Sequence, residues 1–173
     1  MWYVIQTSAG KEMETAGVIR KMLMERSYRR CFVIRHECVW RLGGELKIHT
    51  EPLFPSYVFI ETDAPEAFFY ELKRVPKLTK LLRSEESFWT VDREEERFLR
   101  DLIGADPEYV IRRVLVRVNE AGEIEKAEGV LRSNLGRIVK KRLRKRVVVI
   151  EIPFLGEMRR VPIGIRLEGD RQR

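Results

Sequence analysis

Four side chains could serve as nucleophiles, general bases or soft metal ligands: His36, His49, Cys31 and Cys38. Covalent catalysis needs such a group beside a base, and a metal site needs clustered donors at recognisable spacing. Cys31 and Cys38 form no CxxC pair, and no second cluster completes a ligand set. Both read as reduced, partly buried thiols. Each histidine reads as a solvent-facing strand residue. No GxGxxG, Walker loop, HExxH or GxSxG occurs, and Glu94, Glu95 and Glu96 share one helical turn, the mark of a solvated face. These observations argue against an enzyme and imply no cofactor and no metal.

Cationic and aromatic residues carry the stronger signal. In Lys140-Lys141-Arg142-Leu143-Arg144-Lys145-Arg146 six of seven residues are cationic, with Arg137 just upstream and Arg159-Arg160 downstream. On a hairpin alternate residues project to opposite faces, so a core absorbs only part of this set. A solvated hairpin tip would carry the same residues, but exposed like charges repel and add nothing to a core. The remaining cations could contact phosphates, and guanidinium groups could reach phosphates or guanine edges with two hydrogen bonds. Phe154 is the single aromatic after Tyr109. Base stacking on aromatic platforms is therefore disfavoured, and a structured helix or hairpin recognised by backbone and shape fits better. Charge is divided accordingly: residues 112–173 hold 17 Lys+Arg against 8 Asp+Glu, and residues 1–111 hold 17 against 19. The second part would be drawn to a polyanion.

The aromatics gather at the other end. Pro52-Leu53-Phe54-Pro55-Ser56-Tyr57-Val58-Phe59-Ile60-Glu61 places two prolines at the entrance of an apolar strand, where neither removes a central ladder bond. Trp2, Tyr3, Phe54 and Tyr57 would cluster if the opening strand lies beside this one. Such a cluster is either packed core or an exposed hot spot for a protein partner.

The elements that must position these residues are readable. Trp2–Thr7 is a strand, Ser8-Ala9-Gly10 a turn, and residues 11–26 a helix with Met13, Ala16, Ile19 and Leu23 on one face. Residues 31–41 and 46–50 are strands joined at Gly43-Gly44, and residues 56–62 form another. Asp63 is a candidate cap and Pro65 a first-turn residue of a second helix, which ends before Pro76. Leu78–Arg83 reads as a short strand, and Asp92 caps a helix over Arg93–Ile103. The order β-α-β-β-β-α-β-α predicts an α+β domain, an antiparallel or mixed sheet flanked by helices. The domain spans residues 1–104 and a linker residues 105–113. Strands at 114–118, 124–127, 137–143, 147–152 and 158–165 then suggest a small β-barrel over 114–173. No apolar run approaches a membrane span, and the first residues lack a leader pattern. A soluble, cytoplasmic monomer is the expectation.

Taken together, Trp2-Tyr3-Val4-Ile5, the helix after it and Pro52-Leu53-Phe54-Pro55-Ser56-Tyr57-Val58-Phe59 resemble the N-terminal domain of the NusG/Spt5 transcription elongation factors. Glu128-Gly129-Val130-Leu131-Arg132-Ser133-Asn134-Leu135-Gly136-Arg137-Ile138-Val139 resembles the KOW domain that follows it, a small SH3-like barrel. The resemblance implies an N-terminal domain that binds the clamp helices of RNA polymerase through Trp2, Tyr3, Phe54, Pro55 and Tyr57. It implies a KOW domain that recruits ribosomal protein S10, Rho or RNA. Ser56 stands where the family carries glycine, a change the backbone accepts at negative φ. Ser133, Val130 and Leu135 also depart from the family pattern, and the barrel is unusually basic. Phe154-Leu155-Gly156-Glu157-Met158-Arg159-Arg160-Val161 resembles LoaP-type paralogues, processive antiterminators that recognise an RNA hairpin in the leader transcript. On that reading Arg137, Lys140, Lys141, Arg142, Arg144, Lys145, Arg146, Arg159 and Arg160 would bind RNA, and charge reversal at Lys141, Arg144 and Arg146 would weaken it. A housekeeping adaptor for S10 or Rho is the alternative. An RfaH-like barrel that refolds as helices is disfavoured by the β-branched run Val147-Val148-Val149-Ile150.

Overall fold

The computed structural model describes residues 1–23, 26–81 and 88–170. The expected helical positions 24–25 and strand positions 82–83 lie outside these residues. In chain order the elements are β1 (Trp2–Gln6), α1 (Glu12–Met22), β2 (Arg30–Phe32), β3 (Arg35–Leu42), β4 (Glu45–Pro52), β5 (Tyr57–Glu61), α2 (Pro65–Lys73), α3 (Pro76–Leu81), β6 (Phe88–Thr90) and α4 (Arg93–Ile103). There follow β7 (Val110–Ile111), β8 (Val114–Val118), β9 (Ile124–Ala127), α5 (Gly129–Arg132), β10 (Ile138–Arg142), β11 (Val147–Phe154) and β12 (Glu157–Leu167). An α+β chain results, richer in sheet than in helix. It divides into two compact units, Met1–Ile34 with Phe54–Arg100, and Arg35–Leu53 with Asp101–Arg173.

The first unit is built on an antiparallel sheet ordered β2-β5-β1-β6. Strand alternation splits its apolar residues between two faces. Tyr3, Ile5, Val58, Ile60 and Cys31 enter a core with Ala16 and Ile19 of α1, Phe68 and Leu72 of α2 and Leu78 of α3. On the opposite face Trp2 meets Phe32 and Phe59 edge-on, with centroids 5.0 and 5.9 Å apart. Here the backbone N–H of Trp2 donates to the Glu96 carboxylate of α4 (3.0 Å), and the Arg100 guanidinium lies 4.5 Å from the Trp2 ring.

Several local expectations are corrected. In α1 the inward face is Glu12, Thr15, Ala16 and Ile19, and Met13 is exposed. The rotation follows from Glu12, whose carboxylate has partners waiting inside. Residues 31–41 are not one strand: β2 pairs with β5, whereas β3 pairs with β4 in another sheet. Of the strand expected over Leu78–Arg83, the described residues 78–81 are helical, part of α3. Pro76, lacking an N–H and fixed in φ, suits a first helical turn after α2 has ended. Asp63 does not cap α2, whose N-cap is Ala64, because it forms an ion pair with Arg29. Asp92 does cap α4, accepting the Glu94 N–H at 2.8 Å.

Tyr57 is reached through a turn in which its N–H donates to the Phe54 carbonyl (3.2 Å). Ser56 takes φ = 76°, so the expectation of a negative angle fails. A side chain in this region costs about 1–2 kcal/mol. The buried carboxylate of Glu12 offsets the strain, accepting the N–H groups of Ser56 (2.7 Å) and Gly10 (3.1 Å).

The second unit holds two sheets. One is β4-β3-β7, with β7 parallel to β3. The other is five-stranded, β10-β11-β12-β8-β9, with β12 parallel to β8. It contains all the strands expected from sequence. The expected linker, residues 105–113, carries β7, with Val110 and Ile111 both buried. Glu37 of β3 accepts the Arg113 N–H (2.9 Å) and a bond from Arg112 (3.2 Å), and Arg112 also holds Asp106 at 2.7 Å. β12 comes so near β3 that a Cβ at Gly164 would overlap the Glu37 carbonyl oxygen.

Ser56→Gly should raise stability by about 0.5–1 kcal/mol, since relief of the left-handed strain outweighs the added chain entropy of glycine. Glu12→Ala should lower it by about 1–3 kcal/mol, because the buried Ser56 N–H loses its acceptor. Urea unfolding of the two variants measures both changes.

Candidate functional site

The sequence proposes an aromatic surface and a basic one. Of the aromatic residues, Trp2 and Phe54 are core, 1% and 3% exposed, and cannot present their rings to a partner as they stand. Tyr3 is likewise buried, stacked on Phe88 at 5.0 Å. Pro55 is exposed and Tyr57 half-buried. Tyr57 meets a residue that the sequence did not single out: Trp89 of β6 lies edge-on to it at 6.1 Å and is itself exposed. Tyr57 pairs with Gln6 and Trp89 with Val4, so both stand on one face of the sheet. The surface presented is therefore Pro55, Tyr57 and Trp89, and the buried rings of Trp2 and Phe59 stand on the same face of the sheet. The signal for Trp89 was the β-prone triplet Phe88-Trp89-Thr90.

The basic residues also separate by role. β10 pairs with β11 through Lys140↔Val149, Lys141↔Val148 and Arg142↔Val147. Val148 is buried, so Lys141 stands on its side of the ladder and pairs with Glu123 at 2.7 Å. Lys140 and Arg142 stand on the other side, exposed, and Arg144 and Lys145 are exposed in the 3-10 turn Leu143–Lys145. These four form no ion pair among the described residues. Arg160 is exposed but held by Glu151 (3.1 Å), Arg159 lies 5.2 Å from the Phe154 ring, and Arg137 is half-buried.

Arg146 is structural. It sits at φ = 55° and clamps Asp170 with two bonds of 2.8 and 2.7 Å, while a third nitrogen donates to the Leu143 carbonyl. The Arg146 guanidinium holds the Asp170 carboxyl below the usual carboxylate range, assisted by the Leu167 N–H. Two members of the reversal set expected to weaken RNA binding, Lys141 and Arg146, are thus engaged in internal ion pairs.

Cys31 and Cys38 are free, buried thiols, as expected, whereas the histidines depart from expectation. His36 is 2% exposed and not solvent-facing, and Cys38 is buried beside it on β3. Their cross-strand partners on β4 are Glu51 and His49 respectively. Burial pushes the Cys38 thiol up to about 12, with the Glu51 charge adding to the shift, and burial lowers His36. The sequence held this cluster in plain form. A two-residue turn at Gly43-Gly44 pairs Leu42 with Glu45 and, counting outward, Cys38 with His49 and His36 with Glu51.

No helix among the described residues is long and apolar enough to cross a membrane. The fold is thus a two-unit α+β framework with an aromatic ledge on one unit and a cationic sheet edge on the other. Residues 1–100 match the family described as Transcription termination factor nusG, and the chain belongs to this NusG family of transcription factors. No curated protein sequence matches the chain. Among solved structures, the NusG of Thermotoga maritima, from a study of domain interaction in that protein, is 16% identical with a TM-score of 0.48, covering 94% of this chain and 92% of that one. The MjSpt4:Spt5 complex gives 13% identity and a TM-score of 0.32, covering 95% and 93%. At these values the family assignment rests on the match over residues 1–100.

The Arg146–Asp170 pair has a calculable pH dependence. Because the folded-state Asp170 is depressed, its contribution is present above the ordinary value of 3.8 and is lost as pH falls through the lower folded value. Asp170→Asn should melt below the parent at pH 7, and the gap should close in melting curves taken below pH 3.8.

Proposed function

We propose that this NusG-family chain is a processive antitermination factor of the LoaP type, which holds RNA polymerase by one surface and structured nascent RNA by the other. In this reading residues 1–104 act as the polymerase-binding part. Pro55, Tyr57 and Trp89 meet the clamp helices, and Trp2, Tyr3 and Phe54 fix the ledge from within. Residues 114–173 correspond to the family's KOW barrel and take the RNA hairpin of a leader transcript, with residues 105–113 joining the two. Binding both partners in one elongation complex raises effective concentration, so two modest affinities suffice.

The observation that carries the reading is the run Lys140, Arg142, Arg144 and Lys145: four exposed cations on one strand end and turn, with no carboxylate partner among the described residues. Charges left unpaired at one place attract phosphates, and shape recognition suits a surface with a single buried aromatic, Phe154.

The test uses the full-length chain and a labelled RNA hairpin library, with salt titration. Reversing Lys140, Arg142, Arg144 and Lys145 to glutamate should weaken binding at least about tenfold and flatten the salt dependence by about one unit for each phosphate no longer neutralised. An unchanged affinity and slope overturn the reading. Absent RNA binding together with capture of S10 or Rho would assign the adaptor role instead. On the other unit, Tyr57→Ala with Trp89→Ala should reduce polymerase capture severalfold while leaving the melting temperature within a few degrees of the parent, because both rings are partly exposed.

A further inference from the structure

The β3–β4 hairpin carries a chemistry that neither surface uses. Alternation along two paired strands places His36 and Cys38 on the same face as their partners Glu51 and His49. A ring nitrogen of His36, the Cys38 sulfur and a Glu51 carboxylate oxygen all lie within 4.8 Å of one another. His49 joins them: its Nε2 is 3.2 Å from the Cys38 sulfur and 2.9 Å from a Glu51 oxygen. Trp40 stacks on the His49 ring at 4.0 Å and fixes its plane. The Nδ1 atoms of both histidines are buried and lack a hydrogen-bond partner among the described residues, an unusual state for buried polar atoms.

We propose that His36, Cys38, His49 and Glu51 form a binding site for a divalent transition-metal ion of the zinc class. The donor set decides the class. One thiolate, imidazole nitrogens and one carboxylate suit a borderline-soft ion with tetrahedral preference, and a hard ion such as magnesium or calcium would take oxygen ligands instead. Tetrahedral donors at about 2.0–2.3 Å from the ion lie about 3.5 Å apart, so His36, Cys38 and Glu51, within 4.8 Å of one another, need close by only about 1 Å, and His49 already meets Cys38 and Glu51 at 3.2 and 2.9 Å. The balance is simple. Cys38 gives up its thiol proton to solvent as the sulfur–metal bond forms, and thiolate and carboxylate then neutralise the two positive charges of the ion. Four protein donors leave no open position, so the ion is structural and ties β3 to β4. Glu51 stands at the exposed side, which gives the ion its entry path.

The experiment adds cobalt(II) as a spectroscopic probe to the full-length, reduced chain and follows absorbance, then displaces it with zinc. The expected result is one ion per chain, tetrahedral visible bands and a thiolate-to-metal charge-transfer band. That band persists in Cys31→Ala and disappears in Cys38→Ala. Glu51→Gln, a change at an exposed carboxylate that leaves the fold intact, should weaken affinity at least tenfold, and zinc should raise the melting temperature of the parent but not of this variant. Absence of the charge-transfer band in the parent, its survival in Cys38→Ala, or unchanged affinity in Glu51→Gln overturns the site.

Discussion

One buried carboxylate governs the first unit. Glu12 is 3% exposed and would be costly to hold without partners. It has them in the backbone N–H groups of Ser56 and Gly10, and so it acts as a peg between the start of α1 and the corner that leads into β5. Everything characteristic of that corner follows. Ser56 is kept at positive φ, Phe54 is turned into the core against Phe59 (6.0 Å), and Pro55 and Tyr57 are left facing outward. The same peg rotates α1, which explains why Met13 lies outside. A surface feature thus depends on a carboxyl group that is itself buried.

In the second unit, cations are divided between folding and recognition by where carboxylates fall. Asp170 takes Arg146, Glu123 takes Lys141, Glu151 takes Arg160, and Glu37 with Asp106 takes Arg112. The partly buried Arg146–Asp170 clamp, with two parallel bonds, is the strongest of these by geometry. The exposed pairs add little individually. Lys140, Arg142, Arg144 and Lys145, which form no ion pair among the described residues, stand together on one strand end and turn, and this local density, more than net charge, gives the sheet edge a preferred kind of partner.

The strands β1, β4 and β5, the five strands from Val114 to Leu167, the hairpin at Gly43-Gly44, the α+β class and the position of the basic run were readable from periodicity and turn residues, whereas β6 and β7 were not. What failed did so for physical reasons. Side-chain exposure at Trp2 and Phe54 depends on what covers the second face of the sheet, and α4 is far away in sequence. Residues 31–41 formed one uninterrupted β-prone run, and nothing local showed that β2 and β3 join different sheets. The 76–81 segment was short and apolar, ambiguous by pattern, and Pro76 decided it. The role of Arg146 depended on Asp170, a partner that pattern alone cannot assign. The His36-Cys38-His49-Glu51 cluster was different: register alone would have revealed it, because its donors lie across the ladder and not along the chain.

The close approach of Gly164 to Glu37 has a consequence for the order of assembly. The β3–β4 hairpin precedes β12 in the chain, with α2, α3, α4 and the seven strands β5 to β11 between them, so it is synthesised well before β12. The hairpin must therefore leave the ribosome with β3 still lacking both β7 on its free edge and the strand that packs over Glu37. It has to hold its own register during that interval, through the tight glycine turn and the side chains that face one another across it. Only when β12 arrives does the unit close over Glu37.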